Sequence, residues 1–231
     1  MRRERDRRAQ SRTSDTFAAL LAPLGVRVWL DAHDGTYLST TGALIDTAID
    51  RSGSGLDATA SGSLRPTFDG SLFGGRGGIA FDGSLQRLLT ASFLCQPDTS
   101  GCVYWQYGAG PEQVVVDFGP DNHLMIFAFS DDLTVRAGSV DTQRSSPSSP
   151  MRVTWRTSTA GVTRILYNGA QVLGAAVSTA SAQTSTLRVS GTFAGAARML
   201  AGSALGELVF ADVAWSNAQM DAVDAALAQR W

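Results

Sequence analysis

Residues 206–231 restrict what this chain can become more than any other stretch. They read as a β-strand, a short turn and one amphipathic helix that ends at Trp231. Ser216 stands where a side-chain oxygen can cap the first helical turn, and Gln219, three positions on, completes the spacing of a capping box. Met220, Val223, Leu227 and Trp231 recur at three- and four-residue intervals and form one apolar stripe. Everything before this segment reads as short strands. A lone helix closing an all-β chain leaves few architectures open.

Strand signals recur over residues 26–30, 78–81, 102–107, 114–118, 123–129 and 133–137, and again over 151–156, 163–168, 171–173, 187–190 and 206–211. Met151, Val153 and Trp155 alternate with Arg152, Thr154 and Arg156, which predicts a half-exposed strand. Asn168-Gly169 between two such runs is a type I′ hairpin signal. Residues 145–150 predict a flexible loop, and the small, polar residues 175–186 predict another exposed connection. Short strands with turn-rich spacers predict an all-β fold, a two-sheet antiparallel jelly-roll sandwich. A length of 231 residues, 44% hydrophobic and 17% charged with 24 glycines, suits one such domain and argues against disorder. No apolar run approaches the roughly 18 residues of a membrane span. The net charge of −2 gives no general attraction to nucleic acid or anionic lipid.

Several stretches, in the expected order, resemble the laminin-G-like jelly rolls of the concanavalin A-like lectin/glucanase superfamily. Val28-Trp-Leu-Asp-Ala-His-Asp34 is similar to that family's opening strand, W-L-D-A-x-D. Asp50-Arg-Ser-Gly-Ser-Gly-Leu-Asp-Ala-Thr59 resembles D-x-S-G-N-G-x-x-A-T, with Gly55-Leu56 in place of the usual G-N or G-H. Arg65-Pro-Thr and Gly78-Ile-Ala-Phe-Asp-Gly-Ser84 follow, and Ile165-Leu-Tyr-Asn-Gly169 is similar to the Y-x-N-G hairpin. Gly206-Glu-Leu and the close at Arg230-Trp231 resemble the final G-E-[VIL] strand and the K-W or R-W helix end. The resemblance covers about residues 25–231 and implies a concanavalin A-like sandwich with a short C-terminal helix, behind an N-terminal arm. The expected division is residues 1–25 as a basic arm and short helix, and residues 26–231 as the jelly roll.

The arm carries Arg2, Arg3, Arg5, Arg7, Arg8 and Arg12 against Glu4 and Asp6, in a chain that has no lysine. A short helix follows, capped by Ser14 or Asp15 and broken at Pro23 and Gly25. The apolar run at residues 16–21 is too short for a secretory signal, so the chain is expected to be made in the cytoplasm. Such an arm can be a mobile tail, a phosphate-binding segment or a protein-docking segment. Six arginines against two acids favour protein over nucleic acid.

The family's glucanases use two carboxylates on one strand to flank the scissile bond. This chain has three glutamates, Glu4, Glu112 and Glu207, and none has an acidic partner at strand spacing, so no glycosidase is expected. His33 and His123 lie in no nucleophile motif. Cys95 and Cys102 flank a hairpin loop that could join them in a disulfide, or they are two separate thiols. No cofactor is required; weak calcium candidates are Asp117, Asp121, Asp131 and Asp132. Tyr104, Trp105 and Tyr107 alternate along one strand, which sets Trp105 on the face opposite the two tyrosines; one face is core and the other is open to glycan, with Trp105, Tyr107, Asn122 and His123 the candidates. Trp29 and Trp155 are read as structural.

Jelly rolls of this size with a basic arm resemble those of tailed-phage and phage-like particles. The resulting expectation is a non-enzymatic virion subunit, a tail or head fibre or decoration protein, assembled in the host cytoplasm and exposed on the particle surface. The six arginines with Phe17, Leu20 and Leu21 would anchor it to other virion proteins in a symmetric assembly. The jelly roll would project and touch host glycans. The alternative is a cellular lectin-like module with no particle.

Overall fold

A computed structural model describes residues 16–108, 112–119, 124–129, 132–137, 140–145, 149–160, 162–177, 181–190 and 202–231. They form a sandwich of antiparallel sheets with one C-terminal helix, as the sequence predicts. The back sheet runs Val26–Asp31, Ser203–Ala211, Thr99–Gln106, Met151–Thr157, Val162–Tyr167 and Ala170–Val177. The front sheet runs Leu38–Thr41, Leu44–Ala48, Ala58–Thr59, Leu88–Leu89, Leu187–Val189, Glu112–Phe118, Leu124–Phe129, Asp132–Ala137 and Val140–Ser145. Gly78–Phe81 pairs with residues 203–205 and with Thr67–Asp69, which meets Leu44, so the sheets are stitched together at one edge.

Period-two alternation decides what faces the core. In the front sheet Leu88, Val189, Val116, Ile126 and Val135 stand in one cross-strand row and are all buried. They meet Leu30, Leu208, Phe210, Val103, Trp105, Val153 and Trp155 from the back sheet. Phe118 stacks on Phe210 at 5.8 Å across the gap. Asn168 (φ 47) and Gly169 (φ 85) build the expected tight hairpin, both in the left-handed region that a type I′ turn requires.

A second core lies on the outside of the back sheet. Residues 16–21 are helical (α1), and Asn217–Arg230 form the long helix (α2). Ser216 and Gln219 make the capping box, and Met220, Val223 and Leu227 are buried with Cys102, Tyr104, Leu166 and Val209. Trp215 donates its indole N–H to the Leu24 carbonyl at 2.9 Å, which ties the end of α1 to the start of α2.

Four expectations change here. Phe17 and Leu21 are buried against this chain's own Trp29 and helix α2, with Leu20 partly buried beside them, so they are not available to anchor a partner. The strand Met151–Thr157 is not half exposed, because α2 covers its polar side: Thr154 is buried and Arg152 pairs with Asp224. Residues 175–186 are not a plain connection, since Ala170–Val177 continues into them and Gln183–Ser185 pairs with Phe93–Cys95. Cys95 lies in the inter-sheet core and Cys102 in the outer one, so no disulfide joins them. Burial pushes the Cys95 thiol up to about 12 and the Cys102 thiol well above its ordinary value.

Candidate functional site

Three of the stretches that carry the family resemblance, residues 28–34, 50–59 and 206–231, converge on one buried node at the end of α2. Asp31 and Glu207 face each other across the pairing of Val26–Asp31 with the closing strand. Glu207 has no acidic partner at spacing along its own strand, as the sequence reads, but strand pairing supplies one from the first strand. Sequence spacing could not show it, because the partner is 176 residues away and adjacent only through strand register.

The node is fully engaged. Glu207 Oε1 accepts the Trp29 indole N–H at 2.7 Å, and Oε2 accepts Arg230 Nε at 2.7 Å and the Trp231 indole N–H at 2.6 Å. Asp31 Oδ2 accepts both Arg230 Nη2 and Arg51 Nη1. The Arg51 guanidinium lies between the Trp29 ring at 3.9 Å and the Tyr37 ring at 4.1 Å. Asp50 accepts the backbone N–H of Trp29 (2.9 Å), Ser52 (2.9 Å) and Leu56 (3.1 Å), which fixes the turn that presents Arg51. Trp231 stacks on Tyr104 at 5.0 Å over Gly206, where a Cβ would come within 2.9 Å of the tyrosine ring. Burial, with the Asp31 charge, raises Glu207 from 4.5 to about 7 despite Arg230 and the two indoles. Burial lowers His33 at the rim, opposed by Asp31. With Glu207 and Asp31 enclosed and bound by arginine and indole donors, the node can hold strands and helix together but offers no access to a substrate.

The open chemistry is on the front sheet. A cleft of about 430 Å³ is lined by Asp46, Thr47, Thr59, Ala60, Ser61, Leu64, Arg87 and Leu89. Asp46 accepts Thr41 Oγ1 at 2.7 Å and Arg65 Nη1 at 2.8 Å, and these two bonds hold its carboxyl below the usual carboxylate range. Arg87 points outward because Leu88 beside it fills the core, and its Nε is enclosed without a hydrogen-bond partner. A cross-strand row leads away from the cleft: Thr47, Thr59, Leu89, Arg188, Asp117, Met125, Arg136 and Asp141 are successive partners across the sheet. Burial pulls the Arg188 guanidinium below its ordinary range, with Asp117 opposing and Arg87 adding to the shift.

The expected site residues are scattered. Trp105 is fully buried in the inter-sheet core and cannot stack on a sugar, which removes it from the glycan platform. Tyr107 does not share a face with Tyr104: it packs against the inter-sheet core, while Tyr104 lies in the outer cluster. Asp117 is buried beside Arg188, level with Arg136 and so four residues along the strand from Asp132. Among the described residues no group of three histidine, cysteine, aspartate or glutamate side chains stands close enough to hold a metal ion. Asn122, His123, Asp121, Asp131 and the six arginines of the arm lie outside the described residues. Sequence reading missed the cleft because Asp46, Thr59 and Arg87 form no motif and meet only through strand pairing.

No protein-family model and no curated protein matches the chain. Solved structures do. The binding domain of botulinum neurotoxin DC in complex with rat synaptotagmin II aligns with a TM-score of 0.61 at 13% identity over 88% of this chain and 52% of that one. Botulinum neurotoxin type C, described with two ganglioside molecules, aligns at 0.61 and 12% identity over 88% of this chain and 51% of that one. A Trypanosoma rangeli sialidase in complex with difluorosialic acid aligns at 0.62 and 10% identity over 96% of this chain and 39% of that one. The chain thus spans about half of each toxin domain and less of the sialidase. At these identities the likeness is one of fold: this chain is an all-β jelly-roll sandwich.

Proposed function

We propose that this chain is a non-enzymatic, glycan-binding domain whose ligand site is the front-sheet cleft. The cleft carries the reading. Three hydroxyls, a carboxylate and a guanidinium converge there beside the apolar Ala60, Leu64 and Leu89, a mixture suited to the hydroxyls and C–H faces of a sugar. The opposite face of the sandwich is covered by α1 and α2. The fold supports the reading too, since toxin binding domains of this shape are described with ganglioside molecules and with SialylT. A hydrolase is disfavoured by the chemistry of the carboxylate pair. Asp31 and Glu207 sit inside the protein, and a sugar must pass between two such groups for acid and nucleophile or base to act.

The test is a glycan array probed with the full chain and with Ser61→Trp, which fills the cleft. Binding by the parent that is lost in a variant with an unchanged melting temperature supports the assignment. Equal binding by both moves the site elsewhere, and no binding to any glycan removes the reading.

The finer assignment, a subunit of a phage or phage-like virion, rests on the arginine-rich leader alone. With Phe17 and Leu21 taken up by the fold, the arginines of residues 1–15 are what is left of the expected anchor. Copurification with assembled particles by the full chain, but not by a chain lacking those residues, is the expected result. Equal retention of both would separate attachment from the leader.

A further inference from the structure

Resting on the front-sheet cleft as a glycan site, we propose that its ligand is an acidic sugar, and that Arg87 receives the sugar's carboxylate or sulfate group. Arg65, the second arginine at this end of the sheet, is satisfied by Asp46 at 2.8 Å. Arg188 stands in register with Asp117. Arg87 meets no carboxylate among the described residues, and its enclosed Nε donates to nothing. The Nε itself is enclosed, so an oxyanion in the cleft accepts from the terminal nitrogens of this part-exposed guanidinium, which no carboxylate among the described residues engages.

Position or engagement separates this orphan from the others. Arg188 Nε is enclosed on the same face, but Arg188 stands opposite Asp117 in the register and is engaged there. The indole nitrogens of Trp105 and Trp155 are also enclosed without partners, but both rings are buried in the inter-sheet core, where no ligand can reach. Arg156 Nε is enclosed as well, yet the same guanidinium donates to the Trp215 carbonyl at 3.1 Å and to Asn217 at 3.0 Å. Arg87 instead lines a cleft of about 430 Å³ whose remaining polar groups are Asp46, Thr47, Thr59 and Ser61. Asp46 keeps the site from being a plain anion trap. Its carboxylate repels a second acidic group and accepts sugar hydroxyls, so the ligand carries one charge at the Arg87 end and hydroxyls at the other. The neighbouring Arg188 adds positive potential on the same face.

Matched saccharides test this: lactose, sialyllactose and sulfated lactose, titrated against the full chain by calorimetry. An anion seated on Arg87 should raise affinity over lactose about tenfold or more, and the advantage should shrink as salt screens it. Arg87→Gln should abolish the acid preference while retaining weak lactose binding, and Arg87→Lys should keep part of it because the charge remains without the planar fork. Preference for only one of the two acidic forms assigns the anion as carboxylate or sulfate. Equal affinity for all three sugars would overturn this inference and leave the glycan reading intact, whereas no binding to any would remove both. Acid preference that survives Arg87→Gln, in a variant shown to be folded by its melting curve, would place the anion elsewhere and also overturn it.

Discussion

The two outer faces of the sandwich use the same residue types and treat them in opposite ways. On the back face Arg230 and Arg51 meet Asp31, Arg230 also meets Glu207, Arg152 meets Asp224 and Arg164 meets Asp221. On the front face Arg65 is matched by Asp46, while Arg87 is matched by nothing among the described residues. The back face is thus closed by charges as well as by apolar packing, and those charges fix which strand and which helix end lie together. A buried ion pair contributes little net stability compared with an apolar pair of the same shape, but breaking it on one side is expensive. A group placed where the fold supplies no partner is free to meet one from outside. That difference is what the proposed assignment of recognition to the front face rests on.

The sharpest way to break this contrast is Arg230→Met. It leaves Asp31 and Glu207 facing each other inside the protein, and it should cost about 3–5 kcal/mol in urea unfolding. A loss below about 1 kcal/mol would mean that the node is not what holds α2.

Next in size is the pH dependence of the same node. Burial raises Glu207 from 4.5 to about 7, so the folded chain holds this proton more tightly than the unfolded one. The stability it contributes is complete below about 4.5 and is lost as pH rises through about 7. The parent should therefore lose about 2–3 kcal/mol relative to Glu207→Gln across that window. Parallel stability curves would show that Glu207 does not titrate there.

Gly206→Ala is smaller. Its new Cβ meets the stacked Tyr104 and Trp231 rings at 2.9 Å and 3.2 Å, and the displacement should cost about 1–3 kcal/mol with a change in tryptophan fluorescence. Least of all, Arg87→Gln should change the unfolding free energy by no more than about 0.5 kcal/mol, since no hydrogen bond from its Nε within the described residues is lost. A large loss there would make Arg87 a scaffold residue and erase the contrast between the faces.

The local devices were plain in the sequence. Ser216 and Gln219 form a capping box from their spacing alone, and Asn168-Gly169 turns the hairpin because both residues accept a left-handed backbone. The strands with strong alternation, such as Gly78–Phe81 and Leu187–Val189, fall where the pattern puts them. Leu38–Thr41 and Gln183–Ser185 do not announce themselves. They are short and largely polar, and pairing with neighbours rather than burial of their own side chains makes them strands. The tyrosine–tryptophan alternation at residues 104–107 suggested a platform, but it is divided between two cores.

What the sequence determined by itself is the fold class, the closing helix with its cap and apolar stripe, and the hairpin at Asn168-Gly169. Each follows from interactions a few residues apart, which spacing records directly. The tertiary structure alone decided that Asp31 and Glu207 share one enclosure, that Phe17 and Leu21 belong to this chain's own core, and that Asp46, Thr59 and Arg87 share a cleft. Those meetings depend on strand register and on which sheet face a helix covers. A register shift of one residue would turn every side chain of a strand to the other face, and no local pattern reports which partner strand the chain will choose.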